Sequence, residues 1–451
     1  MVKSNLNYGI IGNCQILAMV SHDASIDWTC FPRFDSPSVF ARLLDEKLGG
    51  CFSIQPEEED YSSEQFYQRN TNILVTRFIT SEGVFEVHDF APRFALHERY
   101  FRPSAIYRIV RLISGNPRLI VKCDPRPDYA RKAPDLKVGS NHIDYGDDLR
   151  LTTSTPLSYI LEQKAFKLNS DQYFVLTYGA PLESGLKFTA EEFYERTKNY
   201  WETWVKSSNI GELYQDEVIR AALALKLHYF HDTGAFIAAT TTSLPESDQS
   251  TRNWDYRYCW LRDAYFTIRA LDMLGKFTEK EKFHSYLSNI IHSDLHMQDN
   301  GHLQPVYSVS GDRELHESEL DHLAGFLNNK PVRIGNDAYT HKQFDVYGEM
   351  VYCLAPIFYD RRLISYDHDE LFIDFKILVE KSIELFNQPD AGIWEFRSDE
   401  GVHTFSQIFC WGAADQGAKV AAHLGHVDLA SRWTKKAAEM KEIILREAWN
   451  E

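Results

Sequence analysis

The chain has 451 residues, enough for two or three domains, each with a full core. Its hydrophobic fraction of 44% and charged fraction of 25% are those of a globular protein. A formal net charge of -17 argues against nucleic acid and against an anionic membrane as partner, since both demand a positive face, and is compatible with a neutral substrate.

Aromatic residues are abundant, with 24 Tyr, 28 Phe and 9 Trp, which suits sugar stacking and equally suits a large core. The seven cysteines (14, 30, 51, 123, 259, 353, 410) are scattered and odd in number. That favours free thiols in a reducing compartment, and no spacing resembles a metal site. The N-terminus lacks the apolar run of a signal peptide, and no stretch approaches a membrane span. A cytoplasmic location is therefore the expectation, with export by a route that leaves no such signal still open. No cofactor is implied by any residue pattern, and there is no phosphate loop.

From Tyr8 to about Tyr178 the pattern is short, β-branched and period-two. The run 72–80 reaches Ser81-Glu-Gly83 and resumes over 84–90, which predicts a hairpin turning near Gly83. The runs 105–113, 118–123 and 172–178 repeat the theme without helical periods between them, as an antiparallel β-sandwich would. From Thr189 the period changes. Residues 191–205 read as a helix bridging two domains, followed by helices near 214–230, 264–275, 279–293, 344–360, 370–387, 404–424 and 429–449. Thr278 with Glu281 has the capping-box spacing, and Gly275 and Gly425 stand where helices should end. Helices dense in Ala, Gly and apolar residues alternate with amphipathic ones, which predicts two concentric layers, an α/α toroid. The stretch 294–343 is too long for a simple connector, and its aromatic and apolar content favours a functional loop.

Two segments carry chemistry. Arg252-Asn-Trp-Asp-Tyr-Arg-Tyr-Cys-Trp-Leu-Arg-Asp263 brings aromatics, guanidiniums and a carboxylate to the mouth of a helix, where Asp263 is placed to cap the free N–H groups. The residues leave two readings of Arg262 and Asp263 open: a cap with a salt bridge, or a clamp for sugar hydroxyls. Trp254, Tyr256 and Trp260 are core residues or sugar platforms. In Gly392-Ile-Trp-Glu-Phe-Arg397, a carboxyl beside a Trp suits a general acid, because burial against an aromatic surface favours the protonated form. The alternative is a surface Glu whose Trp neighbour lies in the core.

These segments resemble glycoside hydrolase family 15, the bacterial glucoamylase and trehalase-like enzymes. Further similarity lies in Gly12-Asn-Cys, Ser25-Ile-Asp-Trp28, Pro32-Arg-Phe-Asp-Ser-Pro-Ser-Val-Phe40, Thr241-Thr-Ser-Leu-Pro-Glu246, Arg333-Ile-Gly-Asn336 and Asp345-Val-Tyr-Gly-Glu349. The resemblance implies a β-sandwich over 1–188, a helical linker over 189–211 and an (α/α)6-barrel catalytic domain from 212 to 451. It implies Glu395 as the general acid, Arg262 and Asp263 as binders of the terminal glucose, and Tyr256, Trp260 and Trp394 around that subsite. Oligo- or polysaccharide is the implied partner.

Inversion also requires a carboxylate base, which the family carries in a segment beyond residue 451. Seven helices are legible in the catalytic part, whereas a closed barrel needs twelve, so the barrel is expected to be incomplete at its C-terminal side. An open toroid would expose apolar helix faces, which leaves room for a homo-oligomer. Glu349 and Asp345 are nominated as a substitute base on position alone. The implied activity is an exo-acting, inverting α-glucoside hydrolase of glucoamylase type. The alternatives are an α,α-trehalase, or an inactive carbohydrate-binding protein or fragment lacking the base.

Overall fold

The computed structural model describes residues 6–296, 302–363, 368–397 and 399–448. Residues 297–301 of the long loop and Trp449-Asn-Glu451, at the end of the last expected helix, lie outside the described residues. Chain contacts divide the protein into two compact units. The first holds Met1–His228, Ala239–Arg257 and Ser318–Ile334, and the second holds Tyr229–Ala238, Tyr258–Glu317 and Gly335–Glu451.

The first unit is built on two antiparallel sheets. One is seven-stranded and runs Tyr8–Gly12, Leu17–Ser21, Ser25–Cys30, Phe52–Pro56, Arg118–Cys123, Phe166–Lys167, with Ser38–Phe40 also paired to Ser25–Cys30. The other is eight-stranded, ordered Leu136–Val138, His142–Tyr145, Leu149–Thr153, Gln172–Tyr178, Ala105–Gly115, Gly83–Phe90, Leu74–Thr80, Ser62–Tyr67. The hairpin closes at Thr80 opposite Gly83. Inward side chains of both sheets, among them Ile26, Phe52, Val121, Val87, Ile106 and Phe174, form one core, as a sandwich requires. Inside it Arg108 forks onto Asp89 at 2.7 and 3.1 Å and donates to the Ala24 and Phe52 carbonyls. A charge can be buried there because each of its three nitrogens has an acceptor.

Two short turns, α1 (Pro127–Ala130) and α2 (Leu157–Leu161), precede a long helix, α3 (Leu186–Lys206). The helix expected over 191–205 is this one. Its Ala190 and Tyr194 cover the outer face of the eight-stranded sheet against Phe90, Tyr107, Ile109 and Val175. That cover explains why Ala105–Val110 is buried on both faces and lacks a polar alternation. Helix α4 (Gln215–Leu227) also falls in this unit. So does the middle of the long loop: Leu320, Leu323 and Val332 pack on Trp28, Leu44 and Tyr129.

The second unit contains α5 (Leu261–Met273), α6 (Phe277–Ile291), α7 (Asp345–Leu354), α8 (His368–Leu385), α9 (Thr404–His423) and α10 (Val427–Glu447). Helices α5, α7 and α9 pack in succession, α6 backs α5, α8 backs α7 and α9, and α10 backs α9. This is the alternating two-layer plan of an α/α toroid. Small residues set the spacing of the inner layer. A Cβ on Gly348 of α7 would overlap the Phe409 carbonyl of α9, and one on Gly412 would meet the Tyr352 hydroxyl at 2.6 Å. Helices α5 and α9 end on Gly275 and Gly425 with φ of 74° and 83°, and the following N–H groups close back on Leu271 and Ala421 at 2.9 Å. Two expected caps are absent. Helix α6 starts at Phe277 with no side-chain cap, so Thr278 lies inside its first turn. Helix α5 starts at Leu261 behind Trp260, so Asp263 sits in the first turn, where the helix dipole still favours its charge. Among the described residues no helix is long and apolar enough to cross a membrane.

Candidate active site

The site is assembled in the second unit from the first turn of α5, the start of α7 and the turn before α9. That last turn is anchored by Asp390, a buried residue that accepts from Phe344 N at 2.8 Å, Ser406 Oγ at 2.7 Å and Gly392 N at 3.2 Å. Gly392 takes φ of 60°, and a Cβ there would strike the His403 ring at 2.6 Å. Three residues on, Glu395 itself has φ of 53°. The left-handed region costs a residue with a Cβ roughly 1–2 kcal/mol, so the surrounding contacts must hold this turn. One of them is the two-pronged bond from Arg397 to Glu317, at 2.6 and 3.1 Å. The turn leaves Trp394 66% exposed and directs Glu395 onto α5.

The Glu395 carboxylate is gripped on one side only. Its Oε1 accepts from Trp260 Nε1 at 2.8 Å, Gln343 Nε2 at 3.1 Å and Arg262 at 3.3 Å. Its Oε2 makes no hydrogen bond among the described residues. Arg262 also donates to Gln343 Oε1 at 3.0 Å and stands 3.7 Å from Asp345 and 3.9 Å from Asp263. Burial works against the Arg262 charge, but Asp345, Glu395 and Asp263 around it win and lift its pKa above the ordinary arginine value. Burial raises the Asp263 carboxyl, which Arg262 opposes.

Asp345 and Glu349, one turn apart on α7, are 0% exposed, and none of their four carboxyl oxygens has a hydrogen-bond partner among the described residues. Burial pushes Asp345 up to about 6, with Arg262 opposing and Asp390 adding to the rise. Burial, reinforced by Asp345, holds Glu349 well above the usual carboxylate range. A general base must touch the water it deprotonates. Closed off from solvent, neither carboxyl meets that requirement, so the nomination of these two as a substitute base does not hold.

Of the six residues that the family resemblance implies for the site, five lie in this unit: Trp260, Arg262, Asp263, Trp394 and Glu395. Trp260 is only 2% exposed and offers the site its N–H edge. Tyr256 belongs to the first unit, half-buried, with its carbonyl accepting from Ala239 N at 2.8 Å. In that same unit Trp254 lies under the Arg333 guanidinium at 4.4 Å. The sequence reading missed Gln343 and Asp390. A signal for the first existed: α7 is buried along its length, so Asp345 and Glu349 at i and i+4 in an apolar helix mark a polar site beside Gln343.

Comparison with known proteins adds a second line. A family model described as glycosyl hydrolases family 15 matches residues 212–451, and one described as trehalase-like, N-terminal, matches residues 7–173. A trehalase of Mycolicibacterium smegmatis is 33% identical over 479 residues, covering 97% of this chain and 69% of that protein. A trehalase of Mycobacterium tuberculosis is 31% identical, covering 97% and 68%, and one of Thermoplasma volcanium is 29% identical, covering 98% and 71%. A solved bacterial glucoamylase complexed with acarbose superposes with a TM-score of 0.61 at 12% identity, covering 98% of this chain and 67% of that one. At that identity the likeness concerns the fold: an antiparallel sheet domain followed by an (α/α)6 helical domain. The family match takes in more than half of the chain, including α5, α7 and the Glu395 turn. The chain is a glycoside hydrolase and belongs to glycosyl hydrolase family 15.

Proposed function

We propose that the chain hydrolyses an α-glucosidic bond with inversion, with α,α-trehalose as its substrate and Glu395 as the proton donor. The one-sided grip on Glu395 carries this reading. Three donors hold Oε1, and Oε2 is left to carry a proton to the glycosidic oxygen. Arg262 and Asp263 bind hydroxyls of the first glucose, Trp260 borders it, and the exposed Trp394 ring offers an apolar face to the sugar. Inversion needs a carboxylate base roughly 6.5–9.5 Å from the acid, with room for a water. None of the described residues is assigned that role. In sequence terms the domain plan is 1–188, 189–211 and 212–451, which the family matches at 7–173 and 212–451 support.

Trehalose is preferred because the relatives cited above carry the name trehalase over nearly the whole chain. A glucoamylase-type activity on maltooligosaccharides is the second reading. It rests on the Trp260-Leu-Arg-Asp263 and Trp394-Glu395 segments.

Glucose release from trehalose, maltotriose, isomaltose and starch separates the two. Inverting hydrolysis of trehalose yields one α- and one β-glucose, which proton NMR resolves before mutarotation. Glu395→Gln should lower turnover on the preferred substrate by about 10²–10⁴-fold, the usual contribution of a general acid. Unchanged turnover in that variant sinks the assignment of Glu395. Preference for maltotriose or starch sinks trehalose.

A further inference from the structure

Gln343 lies at the centre of the site, 1% exposed, and so far it has served only as one of the three donors to Glu395 Oε1. Its amide is wired in a forced direction. The Arg262 guanidinium has only donors, and an ionised carboxylate has only acceptors. The side-chain oxygen must therefore face Arg262, 3.0 Å away, and the NH2 must face Glu395, 3.1 Å away. Arg262 and Glu395 touch, yet their contact is a single 3.3 Å bond to Oε1 rather than a fork. The second guanidinium nitrogen is engaged by the amide.

We propose that Gln343 is a positioning residue that acts as a neutral spacer, holding the Arg262 fork off Oε2 of Glu395. A two-pronged Arg–carboxylate pair would occupy both oxygens and favour the ionised form. With the amide in place, Arg262 supplies one bond to Oε1 and the other oxygen stays free to bind and release a proton. This deepens the reading of Glu395 as acid and rests on it. Several other titratable or charged groups face the site: Asp263 from α5, Asp345 and Glu349 from α7, His341 ahead of it, and Asp390, Arg397 and His403 around the Glu395 turn. All of them are unchanged in the variants below, so a difference between those variants reports on the spacer.

The test uses two near-isosteric variants of the full chain, Gln343→Leu and Gln343→Glu, and a readout that does not need turnover. The Trp260 indole N–H donates to Glu395, so its NMR resonance in 15N-Trp-labelled protein follows that carboxyl through a pH titration. In Gln343→Leu, Arg262 closes on Glu395, and the gain of a second charge-assisted bond outweighs the lost amide donor, so the midpoint moves to lower pH. In Gln343→Glu, a second carboxylate faces Glu395 and the midpoint moves the opposite way. The alkaline limb of kcat moves in the same two directions. A role in packing alone would weaken both variants together and leave the midpoints together. Midpoints that stay put, or that move the same way in both variants, overturn the proposal. If Glu395→Gln is inactive while the Gln343 variants keep the parent midpoint, the spacer role fails and the acid assignment stands. If Glu395→Gln keeps full turnover, the acid assignment fails first.

Discussion

Replacing Arg257 with Met should be among the most damaging single changes in the first unit, although the residue lies outside the site. Arg257 and Asp255 are both 0% exposed. The guanidinium forks onto Asp255 at 2.9 and 2.6 Å, and also reaches the Tyr129 hydroxyl at 2.9 Å and the Ser36 carbonyl at 2.7 Å. Met keeps the length and loses every one of those bonds. Asp255 keeps the residue 257 backbone N–H at 3.2 Å but is left as a buried carboxylate without its guanidinium. Breaking a buried pair from one side costs about 3–5 kcal/mol, a large part of a typical 5–15 kcal/mol stability. The double variant Arg257→Met with Asp255→Leu removes both charges and should return to within about 2 kcal/mol of the parent, since an apolar replacement of a whole pair is often neutral. Urea unfolding followed by tryptophan fluorescence measures all three, with Trp28 beside the guanidinium as a local probe. A loss under about 1 kcal/mol for Arg257→Met, or a double variant that costs the sum of Arg257→Met and Asp255→Leu measured singly, would refute the buried-pair account.

Two other outcomes follow from packing and titration. Gly348→Ala should cost about 1–3 kcal/mol by forcing α7 and α9 apart, whereas Gly211→Ala, where a methyl meets nothing within 4 Å, should stay within about 0.5 kcal/mol. Paired thermal melts decide, and equal effects would refute the close-approach argument. Asp345 has its pKa raised to about 6 in the folded chain from an ordinary 3.8, so between these values the folded state holds a proton that the unfolded state has released. Stability from this group is therefore full below the ordinary carboxylate value and is lost as pH rises from there through the raised one. Urea midpoints of Asp345→Asn relative to the parent should improve over that window. A gap that stays constant with pH would show that Arg262 already neutralises the burial cost.

Much of the scaffold could be read without coordinates, because burial repeats along the chain with a period that reveals each element. All seven helices expected after residue 211 have counterparts, and the Gly275 and Gly425 stops fall where a left-handed residue was needed. Helix starts were less legible. Asp263 and Thr278 have cap chemistry, but the fold begins those helices three and two residues earlier than the expected 264 and 279. The middle of the long loop was unreadable for a related reason: Leu320, Leu323 and Val332 find their partners among residues 28–129, and no local pattern announces that.

What the sequence by itself determined was the inventory: strands then helices, a polar aromatic segment at 252–263, and a Trp-Glu turn at 392–397. Which members of that inventory share a site was decided only by tertiary structure. Within twelve residues, Arg257 became a buried rivet to Asp255, Tyr129 and Ser36, while Arg262 became the partner of Gln343 and Glu395. Both are arginines in the same motif, and nothing local distinguishes them. The difference is what the distant chain brings alongside: acceptors that close around one guanidinium, and for the other an amide and a carboxylate that leave one oxygen free.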